Sequence, residues 1–97
     1  MATYAMLSHW TDQGIKHVKE SPARIEAFKK TARGLGAEIR EVYVAVGAYD
    51  TFCLISAPDD ETMCKVALVL GSLGNVHTET MRLFSETEFK KMVGALP

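Results

Sequence analysis

Cysteine is scarce in this sequence of 97 residues, which contains two of them, Cys53 and Cys64. Two cysteines so close along the chain are too few for the disulfide framework that staples small secreted domains. We therefore expect a protein of the reducing cytoplasm, with both thiols free.

An excess of positive charge and a long apolar run are also missing. Eleven Lys and Arg residues face twelve Asp and Glu residues, which gives a formal charge of -1. Binding to phosphate backbones depends on surplus basic residues, so a nucleic-acid partner is not predicted. No apolar run approaches the roughly 20 residues of a membrane helix, and the N-terminus lacks signal-peptide features. A membrane is therefore not predicted as a partner either.

The composition that is present is that of a folded globular chain. Hydrophobic residues make up 47% of the sequence and charged residues 24%. A chain of this length has room for one hydrophobic core. We predict a single domain over residues 1–97.

Apolar residues that alternate with a period of two predict four β-strands. These strands cover residues 3–10, 39–46, 51–57 and 76–84. In the second strand, Val42, Val44 and Val46 point to one side while Ile39 and Tyr43 point to the other. The run Gly47-Ala48-Tyr49-Asp50 separates the second strand from the third and predicts a hairpin.

Apolar residues at helical spacing predict two main helices, after residues 21 and 59. Ser21 before Pro22 is a start signal, with Ser21 as the N-cap. The acidic residues 59–61 suit the first turn of the second main helix. A short helix after Thr11 is weakened by Gly14. A capping box over residues 85–88 opens a helical tail.

The resulting order is strand, helix, strand, strand, helix, strand, which is typical of ferredoxin-like α+β folds. We predict a βαββαβ arrangement with a four-stranded antiparallel sheet and both main helices on one face of it. In this topology the first and fourth strands are neighbours.

The sheet face without helices is too apolar to remain in water. Strands one, two and three carry apolar residues on both sides, as Phe52 and Leu54 opposite Cys53 and Ile55 illustrate. The usual remedy is face-to-face packing of two sheets. The second main helix is apolar all round as well, because no charged residue lies between Lys65 and Glu79. We predict a homodimer or a higher oligomer.

Five stretches, in order along residues 3–93, resemble the GYD family of small bacterial and archaeal proteins. They are Trp10-Thr11-Asp12-Gln13-Gly14, Ser21-Pro22-Ala23-Arg24, the hairpin Gly47-x-Tyr49-Asp50, Ala57-Pro58-Asp59-Asp60-Glu61, and Gly74-Asn75-Val76-x-Thr78-Glu79-Thr80-x-Arg82. The resemblance implies a member of the dimeric α/β-barrel superfamily, with a ferredoxin-like fold and sheet-to-sheet dimerisation. It implies no catalytic mechanism.

His77 and Glu79 are candidate catalytic residues, with His9 beside them on the neighbouring strand. A histidine next to a carboxylate is the minimum for general acid–base chemistry. The structural alternative is a hydrogen-bonded pair at a sheet edge or an oligomer seam. The spacing of His, Cys and acidic residues lacks a metal-site motif, so neither a metal nor a cofactor is predicted.

Four further residues are candidates for ligand binding together with His9. Tyr49 and Asp50 can orient a polar ligand from the hairpin, although Asp50 is also a common turn residue. Trp10 and Tyr43 can stack on a planar ligand, although a single Trp in a small protein commonly anchors the core.

Two functions remain open. The first is a homo-oligomeric module that binds a small molecule or acts in assembly. The second is a cofactor-independent oxygenase or isomerase for a small planar organic acid or aromatic, with His77 as the base oriented by Glu79. A pocket lined by both His77 and Tyr49 would favour the enzyme, whereas a core without a pocket and with both residues on the surface would exclude it.

Overall fold

The computed structural model describes all 97 residues. Its strands are β1 (Ala2–Trp10), β2 (Glu38–Val44), β3 (Thr51–Ala57) and β4 (Val76–Leu83). Its helices are α1 (Asp12–Lys16), α2 (Ser21–Gly34), α3 (Asp60–Ser72) and α4 (Glu86–Gly94), and a 3-10 turn (Val18–Glu20) precedes α2. No helix is long and apolar enough to cross a bilayer.

The four strands form one antiparallel sheet in the order β2-β3-β1-β4. The two central strands are therefore β3 and β1, and β4 lies beside β1 as the sequence predicts. This order confirms the ferredoxin-like fold. It brings the start of β4 next to the end of β1, with His9 directly opposite His77.

The core lies between the sheet and the two main helices. Every second residue of the central strands points into it, which is the consequence of strand geometry. The sheet and the helices contribute Tyr4, Met6, Cys53, Ile55, Ala57, Phe28, Ala32, Met63 and Val66.

The start of α2 differs from the prediction. Ser21 is the first residue of the helix and not its N-cap, and its hydroxyl accepts a hydrogen bond from Arg24 Nη2 at 3.1 Å. The 3-10 turn leads directly into α2, and Glu20 already has helical dihedral angles. An N-cap residue needs an extended backbone for its side chain to reach the free amides, so neither Glu20 nor Ser21 can cap in this way.

Strand β2 also corrects the predicted alternation. A bulge between Ile39 and Glu41 places one extra residue in the strand, so Ile39 and Val42 both pack against the core. The strand ends at Val44, and Val46 lies fully exposed in the connection to β3. A bulge inserts one residue without a cross-strand partner, which reverses the facing of every residue after it.

The starts of α3 and α4 agree with the sequence. Asp59 is the N-cap of α3, and its carboxylate accepts from the backbone amide of Thr62 at 2.8 Å. This bond lowers the pKa of Asp59. Ser85 and Glu88 form the predicted capping box at α4. Each cap satisfies amides that the first helical turn leaves free.

The outer side of α3 is exposed in a single chain. Met63 and Val66 are buried against the sheet, whereas Leu68 on the outer side is 66% exposed. The uniformly apolar character of this helix therefore does not lead to complete burial within one copy.

Candidate functional site

The side of the sheet opposite the helices is called the open face here. It carries the residues that alternate with the core positions of the strands: Thr3, Ala5, Leu7, His9, Glu41, Tyr43, Phe52, Leu54, Ser56, His77, Glu79, Met81 and Leu83. Its centre is apolar, since Ala5 pairs with Leu54 on one side and with Met81 on the other. His9, His77 and Glu79 lie on this face at the end of the sheet where β1 finishes, while Thr3 and Ser56 lie at the opposite end.

Tyr49 connects the hairpin to two strands at this polar end. Its hydroxyl donates a hydrogen bond to Glu79 Oε2 at 2.6 Å. Its ring stacks on His9, with the ring centroids 4.8 Å apart and the planes inclined by 28°. The structure thus brings together three predicted site residues, which we call the His9–Tyr49–Glu79 cluster.

The hydrogen bond to Glu79 raises the pKa of Tyr49. A carboxylate next to the phenol accepts its proton in the hydrogen bond and disfavours a second negative charge beside its own. Tyr49 therefore remains a hydrogen-bond donor at neutral pH. Glu79 is held by Tyr49, which is a different role from the predicted orientation of His77.

Asp50 fastens the hairpin to the end of β1. Its carboxylate Oδ2 accepts from the backbone amide of Trp10 at 2.9 Å, and its own amide donates to the Ser8 carbonyl at 2.9 Å. The predicted turn role of Asp50 was a bond to nearby amides, but the amide that it binds lies 40 residues away. Because Tyr49 precedes Asp50 in the chain, these two bonds also fix the position of Tyr49 over the open face.

His77 is exposed on β4, two residues from Glu79 and on the same side of the strand. It borders a shallow groove between β4 and α3 that Leu68 and Ser72 also line. No cavity or groove is lined by both His77 and Tyr49. In a single chain, the two residues therefore share no pocket, and the feature that would favour an enzyme is absent.

The other two predicted ligand-binding residues lie elsewhere. Tyr43 is on the open face at the opposite edge strand, β2, where its ring centroid is 6.2 Å from that of Phe52. Trp10 points to the helix side, because it follows His9 on the same strand. It lines a cavity of about 90 Å³ between α2 and the sheet.

Three polar residues that the sequence does not mark as site residues, Ser8, Arg24 and Thr51, line this interior cavity. Ser8 and Thr51 lie opposite each other on β1 and β3, and their hydroxyls are hydrogen-bonded. Arg24 of α2 lines the cavity as well, and its Nη2 donates to the Gly14 carbonyl at 3.3 Å. Arg24 lies off the apolar stripe of α2, which made it resemble an ordinary surface residue.

The two cysteines are in different environments, with Cys53 buried and Cys64 exposed. Burial raises the pKa of the Cys53 thiol to about 11, since the low-polarity surroundings disfavour a thiolate. No three His, Cys, Asp or Glu side chains are grouped closely enough to hold a metal ion.

The fold and the hairpin motif define a small α+β protein of the ferredoxin-like class with a Tyr-Asp hairpin set against its open face. The model of the GYD domain family matches residues 4–93. The chain belongs to the GYD domain family, as the resemblance implied.

Relatives support this assignment. A Thermus thermophilus protein named glutamine synthetase and cystathionine beta-lyase binding protein is 33% identical over 82 residues, or 84% of this chain and 86% of the relative. The crystal structure of TTHA0845, also from Thermus thermophilus, has a TM-score of 0.58 and 26% identity, covering 88% of this chain and 95% of that one.

A structural neighbour of lower sequence identity is the crystal structure of MtbAldR. It has a TM-score of 0.60 and 17% identity, and the match covers 88% of this chain and 53% of that one. At this level of identity the similarity shows the fold alone.

Proposed function

We propose that this protein is a homo-oligomeric binding module whose copies pair through their open faces. The observation that carries the proposal is the apolar centre of that face, which no helix of the same chain covers. An antiparallel sheet that faces water on one side normally alternates polar residues there. Here Leu7, Phe52, Leu54 and Met81 occupy that side. A second copy of the same face is the simplest complementary cover.

The size of the sheet sets the area that this pairing can bury. Four strands about 4.8 Å apart and about 25 Å long present roughly 500 Å² in projection, before the relief of the side chains is counted. A stable interface buries about 800 Å² on each partner. The projected area of the open face is below this value, so a stable dimer would also need the relief of the side chains or contacts from outside the sheet.

Pairing through the open face leaves the helix layer free for a different partner. On this layer Leu68 of α3 is exposed and apolar. Phe89 and Met92 of α4 are exposed as well, on a helix that buries none of its residues. The Thermus thermophilus relative is named for binding glutamine synthetase and cystathionine beta-lyase. We propose that the helix layer of this chain binds an enzyme of one of these two kinds in the cytoplasm.

Binding of the full chain to purified glutamine synthetase and to purified cystathionine beta-lyase tests this partner. We expect saturable binding to one of them in biolayer interferometry, and a loss of about tenfold or more for Leu68→Asp, because a charge would be desolvated at the contact. The matched variant Ile15→Asp changes an exposed apolar residue of α1 and is expected to bind normally. Absence of binding to both enzymes at about 100 µM would reject this partner.

A second candidate is a cofactor-independent enzyme, favoured by the His9–Tyr49–Glu79 cluster. Pairing over the open face would enclose this cluster together with His77 and create a pocket that a single chain lacks. In such a pocket His77 would remove a proton from a carbon of a planar acid and return it elsewhere on the substrate, an isomerisation that needs no co-reactant. Tyr49 has one O–H proton, which it donates to Glu79, so it would have to turn this proton from Glu79 to the enolate oxygen to stabilise it.

Proton exchange distinguishes this candidate from a binding module. We would incubate the protein in D₂O with a panel of unsaturated and aromatic carboxylic acids and follow loss of C–H signals by NMR. Under the enzyme hypothesis His77→Ala abolishes catalysed exchange, about a 10²-fold loss or more, while the assembly mass is unchanged. Equal exchange by the wild type and by His77→Ala would remove His77 as the base. The variant His17→Ala, on the far side of α1, is the matched control.

A further inference from the structure

The interior cavity is the most enclosed space in the molecule and lies on the opposite side of the sheet from the open face. Its walls are mainly apolar, and its lining includes Met6, Trp10, Ile25, Phe28, Val42 and Val76. A mainly apolar cavity favours an apolar ligand group over water. A ligand of this cavity would therefore place an apolar part between α2 and the sheet.

Arg24 is the only charged residue in the lining of this cavity. Its side chain is 26% exposed, and it also lines the outer groove that Gln13 and Glu20 border. The guanidinium thus stands between the cavity and solvent. A ligand whose apolar part fills the cavity has its other end close to this positive charge.

Arg24 has donors to spare for such a ligand. Its Nη2 donates to the Gly14 carbonyl at 3.3 Å and to Ser21 Oγ at 3.1 Å. Its Nη1 lies 3.8 Å from Glu20 Oε2, a loose pair with an exposed carboxylate. A guanidinium has five N–H donors in a fixed plane, and a carboxylate is the group that matches two of them best. No acidic residue lines the cavity to compete for them.

We propose that the interior cavity binds a small monocarboxylic acid with an apolar tail. The tail lies beside Trp10, and the carboxylate binds Arg24. A benzene-binding cavity in another protein measures about 150 Å³, so the smaller volume here corresponds to a tail of about four carbon atoms. A branched-chain acid has such a tail. This proposal goes beyond the proposed function, and neither assembly nor enzyme binding depends on it.

Trp10 provides a direct reporter, because it is the one tryptophan of the chain. We would titrate the full-length protein with isovalerate, which has a four-carbon branched tail, and follow tryptophan fluorescence. We expect a saturable change in intensity or wavelength. The alcohol 3-methylbutanol has nearly the same tail without the charge, and it is expected to bind at least about tenfold more weakly. Acetate, which lacks the tail, is expected to give no saturable change.

Three variants locate the site. Arg24→Gln should lower the affinity for isovalerate by about tenfold or more. The affinity of Arg24→Lys should lie between those of Arg24→Gln and the wild type, because lysine keeps the charge without the planar guanidinium. Arg33→Gln removes an exposed arginine from the same helix and should bind normally. Val42→Phe fills the cavity and should abolish the response while circular dichroism shows an intact fold.

Specific outcomes would overturn the proposal. Equal affinity for isovalerate and 3-methylbutanol, with Arg24→Gln unchanged, would show an apolar cavity without a carboxylate site. A flat fluorescence titration, with no binding detected by calorimetry, would reject the cavity as a site for branched-chain acids. The mass of the assembly, measured on the same samples, tests pairing separately, so that failure of this proposal is distinguishable from failure of the assembly.

Discussion

Replacing Met81 with aspartate is expected to convert the oligomer into a monomer. Met81 lies on the open face of β4, opposite Ala5, and is 50% exposed in a single chain, so the isolated copy can accept a charge there. In a paired sheet the carboxylate would be buried without a partner, which costs about 3 kcal/mol or more. A symmetric dimer contains the change twice. The dissociation constant should then rise by about four orders of magnitude.

Native mass spectrometry and light scattering measure this change directly, and Leu68→Asp is its matched control. Leu68 is at least as exposed as Met81 but lies on the outer side of α3, where pairing of the open faces would not cover it. Leu68→Asp should therefore keep the mass of the wild type. If Leu68→Asp were monomeric and Met81→Asp kept the mass of the oligomer, the interface would lie on the helix layer and the proposed pairing would be overturned.

Leu54→Asp extends the test to the centre of the sheet. Leu54 lies between Ala5 of β1 and Glu41 of β2, and it is half-buried in one chain. We expect the Leu54→Asp variant to be monomeric as well, and the single copy to lose some of its unfolding free energy. If the wild-type protein were itself monomeric at micromolar concentration, the apolar open face would not be buried by a second copy, and the proposed pairing would be wrong.

The order of elements was predictable because each strand and helix carries a clear hydrophobic period. The βαββαβ order makes β1 and β4 neighbours, and this adjacency brings His9 beside His77. The bulge in β2 was not predictable from the same period. Its position depends on how Ile39 and Val42 meet β3, and this long-range pairing leaves no local signal.

The candidate site was predictable only where alternation along a strand determines it. His77 and Glu79 share a side because they are two residues apart, and Trp10 must face away from His9 because the two are adjacent. The reach of Tyr49 to Glu79 depends on the contact between Asp50 and the end of β1, which lies far away along the chain. Alternation alone contains no information about that contact.

The position of Arg24 beside the cavity has a similar origin. Along α2 it looks like a solvated residue off the apolar stripe. It is drawn toward the protein by the carbonyl of Gly14, which belongs to another helix. A side chain whose partner is a distant backbone atom cannot be recognised from the spacing of its own helix.

Gly14→Ala is expected to destabilise the fold strongly. In the sequence Gly14 only weakens a short helix, but in the structure it is buried against the turn between α3 and β4. A Cβ at this position would lie 2.8 Å from the carbonyl carbon of Asn75, with the carbonyl oxygen closer still. That carbonyl also accepts from the Thr11 amide at 3.0 Å, so it cannot move without breaking the bond. The expected loss is about 3 kcal/mol of unfolding free energy or more.

The bonds around Gly14 explain why relaxation is costly. The Thr11 hydroxyl donates to the Gly74 carbonyl at 2.6 Å, and Gln13 Nε2 donates to Asn75 Oδ1 at 2.9 Å. Moving α1 outward to accommodate the methyl group would break these contacts together. It would also displace the Gly14 carbonyl, which accepts a hydrogen bond from Arg24. Gly14→Ala should therefore weaken isovalerate binding in whatever fraction remains folded.

Urea unfolding followed by circular dichroism measures the effect, with Gly34→Ala as the matched control. Gly34 ends α2, has no atom within 4 Å of an added Cβ and lacks a positive φ. Alanine there reduces the freedom of the unfolded chain and suits a helix, so the control should gain about 0.5 kcal/mol. If Gly14→Ala were as stable as Gly34→Ala, α1 would not be packed against Asn75. The position of Arg24 beside the cavity would then lose its support, since its contact with α1 depends on that packing.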